Sequence, residues 1–130
     1  MALKLTSRTV DGVKIYDCVG RIVFGDEAGQ LRETIKKELP ENSRVILNLA
    51  EVSYIDSGGI GTLVSLFTTA RNAGGDIKLL HLTKRVGDLL QITKLITVFE
   101  TYEDERKAVN AFSSSPRGAV STMASRRESA

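Results

Sequence analysis

The feature that most constrains the fold of this chain is Arg44 to Leu49, an almost unbroken apolar run. The run is too short for a buried helix, so it predicts a central strand that is covered on both faces. From Ile60 the period changes, because apolar residues recur every three or four positions up to Ala70, and Gly74-Gly75 follows. That spacing predicts a helix ending at the glycine pair. A strand that leads directly into a helix favours an α/β fold.

Two segments rich in β-branched residues precede this unit, from Leu3 to Val10 and from Val13 to Val19. They are separated by Asp11-Gly12, which is a strong hairpin signal. We therefore expect an antiparallel pair of strands to open the fold.

The rest of the chain alternates helical and strand patterns. In order it predicts a loop from Gly20 to Gly25, a helix capped by Asp26 and ended by Pro40, a strand from Ile77 to Leu82, a helix capped by Thr83, a short edge strand from Ile96 to Phe99 and a helix from Glu103 to Phe112. Strands alternating with helices imply right-handed crossovers and parallel pairing. The predicted fold is α/β, with a mixed, mostly parallel sheet of about five strands, four helices and an opening β-hairpin.

Charge and apolar content divide the chain after Phe112. The first 112 residues carry 15 basic and 15 acidic side chains and enough apolar residues for one core, so we expect residues 1–112 to form a single domain. Residues 113–130 contain many serines and three arginines but little apolar bulk, which predicts a flexible C-terminal tail. Because the domain is neutral, we expect no nucleic-acid partner.

Several other classes of protein are disfavoured by what the sequence lacks. No apolar run approaches the roughly 18 residues of a membrane span, and the first residues do not resemble a signal peptide, so we expect a cytoplasmic protein. With Cys18 as the single cysteine and His81 as the single histidine, neither an internal disulfide nor a zinc site is expected. Cys18 lies in a predicted strand, which favours a buried, inert thiol.

The segment from Ile55 to Gly61, with the sequence IDSGGIG, joins the central strand to the following helix. Each glycine in a helix costs about 0.5–1 kcal/mol relative to alanine. The glycines therefore indicate a close neighbour, which could be a partner surface, an anion or the sheet beneath the helix. Ser57 would lie near free N–H groups at the helix start, where a phosphate is tolerated. Alternatively, Asp56 or Ser57 serves simply as the N-cap.

An enzymatic role for this segment is disfavoured, because the other residues that such a role requires are missing or out of place. Asp56 to Gly59 is similar to the nucleophile segment of trypsin-like proteases, but His81 follows Ser57 instead of preceding it, and the chain is too short for two barrels. A G-x-S-x-G elbow would need glycine at Ile55, and a dinucleotide-binding loop would need a small residue at Val64. We therefore predict that the chain is not an enzyme.

Several motifs resemble, in order and spacing, those of STAS domains, and of bacterial anti-sigma factor antagonists in particular. Leu47 to Leu49 followed by Tyr54 to Gly61 resembles the family's strand, its Asp-Ser-x-Gly-hydrophobic-Gly signature and the helix after it. Gly74-Gly75-Asp76 with the strand that follows, and Val86 to Phe99, also resemble the family. The resemblance covers most of the predicted domain and implies the STAS fold.

The resemblance also implies a partner-switching mechanism. In such families an anti-sigma factor that is also a serine kinase holds a sigma factor inactive, and the unphosphorylated antagonist binds that kinase and frees the sigma factor. Phosphorylation of the signature serine ends the interaction, and a metal-dependent phosphatase of the PP2C type restores it. By motif position the phosphoacceptor is Ser57, and Asp56, Ser57, Gly58 and Gly59 form the partner-binding segment. ATP and magnesium belong to the kinase, so the chain itself is expected to need no cofactor.

A second function is left open by the same resemblance. STAS domains also build stressosome assemblies or act as subunits beside membrane lipid transporters, where self-association matters, so a homo-oligomer is also left open. Gly58 stands where many relatives carry Ser or Thr, and a second hydroxyl beside the acceptor is therefore missing. Thr83 lies near a position that is phosphorylated in stressosome relatives, and helix capping is the alternative role for it.

Overall fold

A computed structural model describes residues 3–113, and residues 1–2 and 114–130 lie outside the described part. The predicted tail therefore lies outside it, except for Ser113, which ends the last helix. The elements are β1 (Lys4–Val10), β2 (Val13–Ile22), α1 (Asp26–Glu38), β3 (Arg44–Ile55), α2 (Ser57–Asn72), β4 (Asp76–Leu80), α3 (Lys84–Ile92), a 3₁₀ helix (Leu95–Thr97), β5 (Thr101–Tyr102) and α4 (Glu105–Ser113).

The strands form one five-stranded sheet in the order β1-β2-β3-β4-β5. Strands β1 and β2 are antiparallel, and the other three pairs are parallel. The hairpin turns at Asp11 and Gly12, whose φ angles of 51° and 81° are the positive values that a tight two-residue hairpin requires. The predicted mixed, mostly parallel sheet with four helices and an opening hairpin is confirmed.

Strand β3 lies at the centre and is covered on both faces, as its apolar run predicts. Val45, Leu47 and Leu49 face the larger core, which contains residues of α1, α2 and α3. Ile46 faces the opposite way, into a smaller core closed by α4. The run is apolar on both faces because helices pack against both.

The smaller core is bordered by a buried charge that the apolar pattern does not predict. Lys78 on β4 is only 2% exposed. Its Nζ lies 3.0 Å from an Asp76 carboxylate oxygen and 2.7 Å from an oxygen of Glu100, and it lies 4.6 Å from the centre of the Phe112 ring. The buried ammonium is thus paired with carboxylates, which offsets the cost of removing it from water.

The structure moves three predicted boundaries near the start of the chain. Strand β2 continues to Ile22, so the predicted loop is shorter than Gly20 to Gly25. Gly25, with φ 108°, is the N-cap of α1, and Asp26 is its first residue and makes no capping hydrogen bond. Strand β3 continues to Ile55 because β2 pairs with it along that extension. The longer β3 carries the chain beyond the end of β4 and towards α3.

The predicted edge strand from Ile96 to Phe99 is wrong. This segment begins in the 3₁₀ helix, and the strand comes later, at Thr101–Tyr102. The segment is apolar because it packs on the larger core, where the Phe99 ring lies edge-to-face on Phe67 at 5.2 Å between centroids. An apolar run at the end of a sheet can be selected for packing and not for pairing.

Candidate functional site

The predicted signature lies where β3 ends and α2 begins. Asp56 has extended backbone angles and is the N-cap of α2, and its Oδ1 accepts the Gly59 N–H at 2.8 Å. The same carboxylate accepts the Phe24 N–H at 3.1 Å, so it also ties the β2–α1 connection to this helix. Of the two capping candidates, Asp56 is therefore the cap, and Ser57 is the exposed first residue of α2.

The backbone donors around Asp56 set the charge of the site. The N–H groups of Gly59, Phe24 and Gly58 lower the pKa of Asp56 below its ordinary value, because they hydrogen bond to the ionised form. The carboxylate is consequently charged at neutral pH. Ser57 thus stands beside a fixed negative charge and at the positive end of the α2 dipole.

Two of the three glycines are explained by close packing inside the molecule. A Cβ on Gly59 would lie 2.1 Å from the Ile22 carbonyl oxygen, and a Cβ on Gly58 would lie 2.6 Å from the Phe24 Cβ. Gly61, in contrast, has no atom within 4 Å of its Cβ position. The start of α2 therefore rests directly on the β2–α1 connection, and Gly59 is buried there.

Exposed apolar side chains gather around Ser57. Within residues 3–113, four large hydrophobic residues are exposed, namely Val19, Phe24, Tyr54 and Ile92. Phe24 is 82% exposed and lies against Gly58. Ile92, at 77%, and Tyr54, at 39%, line a groove together with Ser57. Large apolar side chains that remain exposed near one another are typical of interaction surfaces.

The groove has a volume of about 770 Å³ and runs between the start of α2 and helix α3. The Arg85 guanidinium lies 5.5 Å from the centre of the Tyr54 ring, and the Lys84 Nζ lies 2.9 Å from an Asp88 carboxylate oxygen. Its lining consists of Tyr54, Ile55, Asp56, Ser57, Lys84, Arg85, Asp88, Leu89 and Ile92. The site therefore combines a hydroxyl, apolar surface and two basic side chains.

Three other residues named in the sequence analysis, Thr83, Cys18 and His81, do not line the groove. Thr83 caps α3, since its Oγ1 accepts the Val86 N–H at 3.3 Å, and its hydroxyl donates to the Val52 carbonyl at 3.4 Å. Burial raises the pKa of the Cys18 thiol to about 12. His81 follows β4, with a positive φ of 57°.

No cluster of three or more metal-binding side chains occurs within the described range. Residues 3–113 also contain no helix that is both long and apolar enough to cross a membrane.

Sequence reasoning located Asp56 to Gly59 but missed the apolar and basic residues that surround them. Phe24 carried a signal, because a large aromatic residue in a glycine-flanked loop has no strand or helix face to bury it. Ile92 lies two positions after the buried Leu90, which places it off the apolar face of α3. The sequence did not indicate that Arg85 lies at the site, because it is placed there by the tertiary packing of α3 against β3.

Comparison with known proteins agrees with this geometry. The STAS domain family model matches residues 4–108. BtrV of Bordetella bronchiseptica, named as a candidate anti-sigma factor antagonist, is 26% identical over 111 residues, which cover 85% of this chain and 95% of that protein. The anti-sigma-B factor antagonist of Listeria monocytogenes is 27% identical over 114 residues, covering 85% and 98%.

Solved structures give the same fold. The anti-sigma factor antagonist SpoIIAA in its unphosphorylated form has a TM-score of 0.72 at 17% identity, covering 88% of this chain and 100% of that one. The phosphorylated form of SpoIIAA from Bacillus has a TM-score of 0.65 at 18% identity, covering 85% of this chain and 98% of that one. Together with the family match over residues 4–108, the fold and signature show that this chain belongs to the STAS domain family.

Proposed function

We propose that this protein is an anti-sigma factor antagonist that acts by binding and not by catalysis. Unphosphorylated, it binds an anti-sigma factor that is also a serine kinase, and the bound sigma factor is released. Phosphorylation of Ser57 ends that interaction, and a phosphatase of the PP2C type restores it. The observation that carries the proposal is the exposed Ser57 at the start of α2, which lines a groove with the exposed side chains of Tyr54 and Ile92. The exposed Phe24 packs against the next residue, Gly58.

The surface around Ser57 is suited to a protein partner. Its three apolar side chains can be buried on association, which is the main favourable term in such contacts. The exposed positions that follow along α2 are Gly61, Ser65, Thr68 and Asn72, which carry no charge. A partner can therefore lie along the helix from Ser57 without burying an unpaired charge. Because Gly59 has no side chain, α2 packs directly against the end of β2 beneath this surface.

A phosphate on Ser57 would alter this surface without unfolding it. The start of α2 tolerates an anion, so the domain stays folded. The phosphate adds about −1.5 to −2 charges beside the ionised Asp56. An unmatched charge at the centre of an interface costs about 2–5 kcal/mol. That penalty corresponds to roughly 30-fold to several thousand-fold weaker binding.

The relatives support the proposal through their names. BtrV and the Listeria protein are both named as antagonists, and SpoIIAA has been solved in unphosphorylated and phosphorylated forms. In this proposal the acting unit is the STAS domain, and the protein works in the cytoplasm beside the kinase.

The test is to incubate the full chain with the anti-sigma factor kinases encoded near it, together with ATP and magnesium, and to locate the phosphate by mass spectrometry. We expect a single phosphate on Ser57 and none in the Ser57→Ala variant. Thr83 should carry no phosphate in the same experiment, because its hydroxyl is engaged in the cap of α3. Phosphate on another residue, with Ser57 unmodified, would contradict the proposal.

Size-exclusion chromatography with light scattering separates this function from a scaffold role. A small species that forms a stoichiometric complex with the kinase agrees with an antagonist. A megadalton assembly of the chain with itself would contradict the proposal and favour the stressosome-like alternative.

A further inference from the structure

We propose that the groove between α2 and α3 receives the phosphate of phosphorylated Ser57, with Lys84 and Arg85 as its cationic partners. This inference rests on the proposed function, because it concerns the same serine. The ligand is a phosphate monoester attached to the chain itself. The switch therefore has a receiving site on a second helix, in addition to the modified residue.

The geometry of the groove supports this site. Ser57 is exposed and forms part of one wall, and Lys84 and Arg85, the first two residues of α3, form part of the other. Both basic side chains are exposed, and each carries its charge at the end of a flexible stem. The Gly58 and Gly59 N–H groups at the α2 N-terminus already hydrogen bond to Asp56, so the partners of the phosphate come from α3.

The charges in the groove are balanced before phosphorylation. Asp56 and Asp88 contribute two negative charges, and Lys84 and Arg85 contribute two positive ones. Lys84 is paired with Asp88, and Arg85 lies over the neutral Tyr54 ring. Arg85 is thus available to the new dianion without breaking a salt bridge with these groups, whereas Lys84 has to be shared with Asp88.

The phosphate would change more than the local charge. When Lys84 and Arg85 turn towards Ser57, Arg85 leaves the Tyr54 ring, and the groove, whose charges were balanced before, carries a net charge of about −1.5 to −2. A partner therefore meets a groove whose basic and aromatic groups have been rearranged.

The experiment places phosphoserine at position 57 of the full chain during translation and follows the ³¹P chemical shift as a function of pH. Cationic neighbours favour the dianion and lower its pKa, whereas Asp56 and Asp88 raise it. We expect the second phosphate pKa to be about 0.5–1 unit higher in the Lys84→Gln/Arg85→Gln variant than in the otherwise unchanged protein. Asp88→Asn, which frees Lys84, should lower it.

The matched control is Lys36→Gln/Lys37→Gln at the end of α1, which removes the same charge from exposed positions outside the groove. We expect that variant to leave the phosphate pKa unchanged. Equal values in the groove variant and the unchanged protein, or an equal shift in the control, would overturn the inference. Because no kinase is used, the result is independent of whether Ser57 is phosphorylated in the cell, so failure here is distinct from failure of the proposed function.

Discussion

Alanine at two glycines of the same helix should have opposite effects on stability. Gly59 and Gly61 both lie in the first turns of α2, and Gly→Ala within a helix ordinarily stabilises by about 0.5–1 kcal/mol. At Gly61 nothing lies within 4 Å of the added Cβ, so we expect the full gain. At Gly59 the Cβ would meet the Ile22 carbonyl oxygen at 2.1 Å and the Ile55 Cγ1 at 2.8 Å.

The clash at Gly59 determines the magnitude. Cβ atoms essentially never approach within 3.0 Å of another heavy atom, so the start of α2 must move by about 0.9 Å from the backbone of Ile22. Overpacking of this kind costs about 1–3 kcal/mol. The same movement weakens the Asp56 cap, which is worth about 1 kcal/mol. After the helix-propensity gain, we expect Gly59→Ala to lose about 2 kcal/mol.

Equilibrium urea unfolding at pH 7, followed by circular dichroism, measures both variants under one set of conditions. Gly59→Ala should unfold at lower urea and Gly61→Ala at higher urea, with the slope m unchanged. If Gly59→Ala is as stable as the unmodified protein, the close packing of α2 on β2 is refuted. A loss of stability in Gly61→Ala would show that the outer face of α2 is not open.

Three further predictions concern other groups of the domain. Asp56→Ala should lower the free energy of unfolding, measured in urea at pH 7, by about 1–2 kcal/mol. Because the fold lowers the pKa of Asp56, the stabilisation is present above about pH 4 and is lost as the pH falls through the folded-state pKa. Arg8 donates to Asp17 and Glu105 and lowers the pKa of both, so NMR titration of Arg8→Met should show both carboxyls titrating at higher pH. Cys18, with a pKa near 12 and a buried thiol, should react with Ellman's reagent at pH 8 only as fast as the protein opens, and rapid stoichiometric labelling would contradict its burial.

Local patterns predicted the parts of the fold that depend on neighbouring residues. The Asp11-Gly12 turn and the Thr83 cap were predictable because the chemistry lies within a few residues of the chain. The buried Lys78 was not, because one of its two carboxylate partners, Glu100, lies 22 residues away. The segment from Ile96 to Phe99 was misassigned, since apolar spacing alone does not distinguish packing from strand pairing.

The candidate site also contains some features that local sequence predicts and others that depend on distant residues. The signature from Asp56 to Gly59 was recognisable because the glycines and the serine are contiguous. The contact of Phe24 with Asp56, 32 residues apart, exists only after β2 and β3 pair. The same pairing brings the Phe24 Cβ against Gly58, which explains why that position is a glycine. The packing of Gly58 and Gly59 also leaves Ser57 as the one exposed residue from Asp56 to Gly59.

The most direct test of the central claim is the affinity of the anti-sigma factor kinase for this protein with and without phosphate on Ser57. Isothermal titration calorimetry would compare the unmodified chain with the chain that carries phosphoserine at position 57. The account predicts that the phosphorylated protein binds at least about 30-fold more weakly while melting as a folded domain. Equal affinity of the two forms would contradict the claim that Ser57 is the switch.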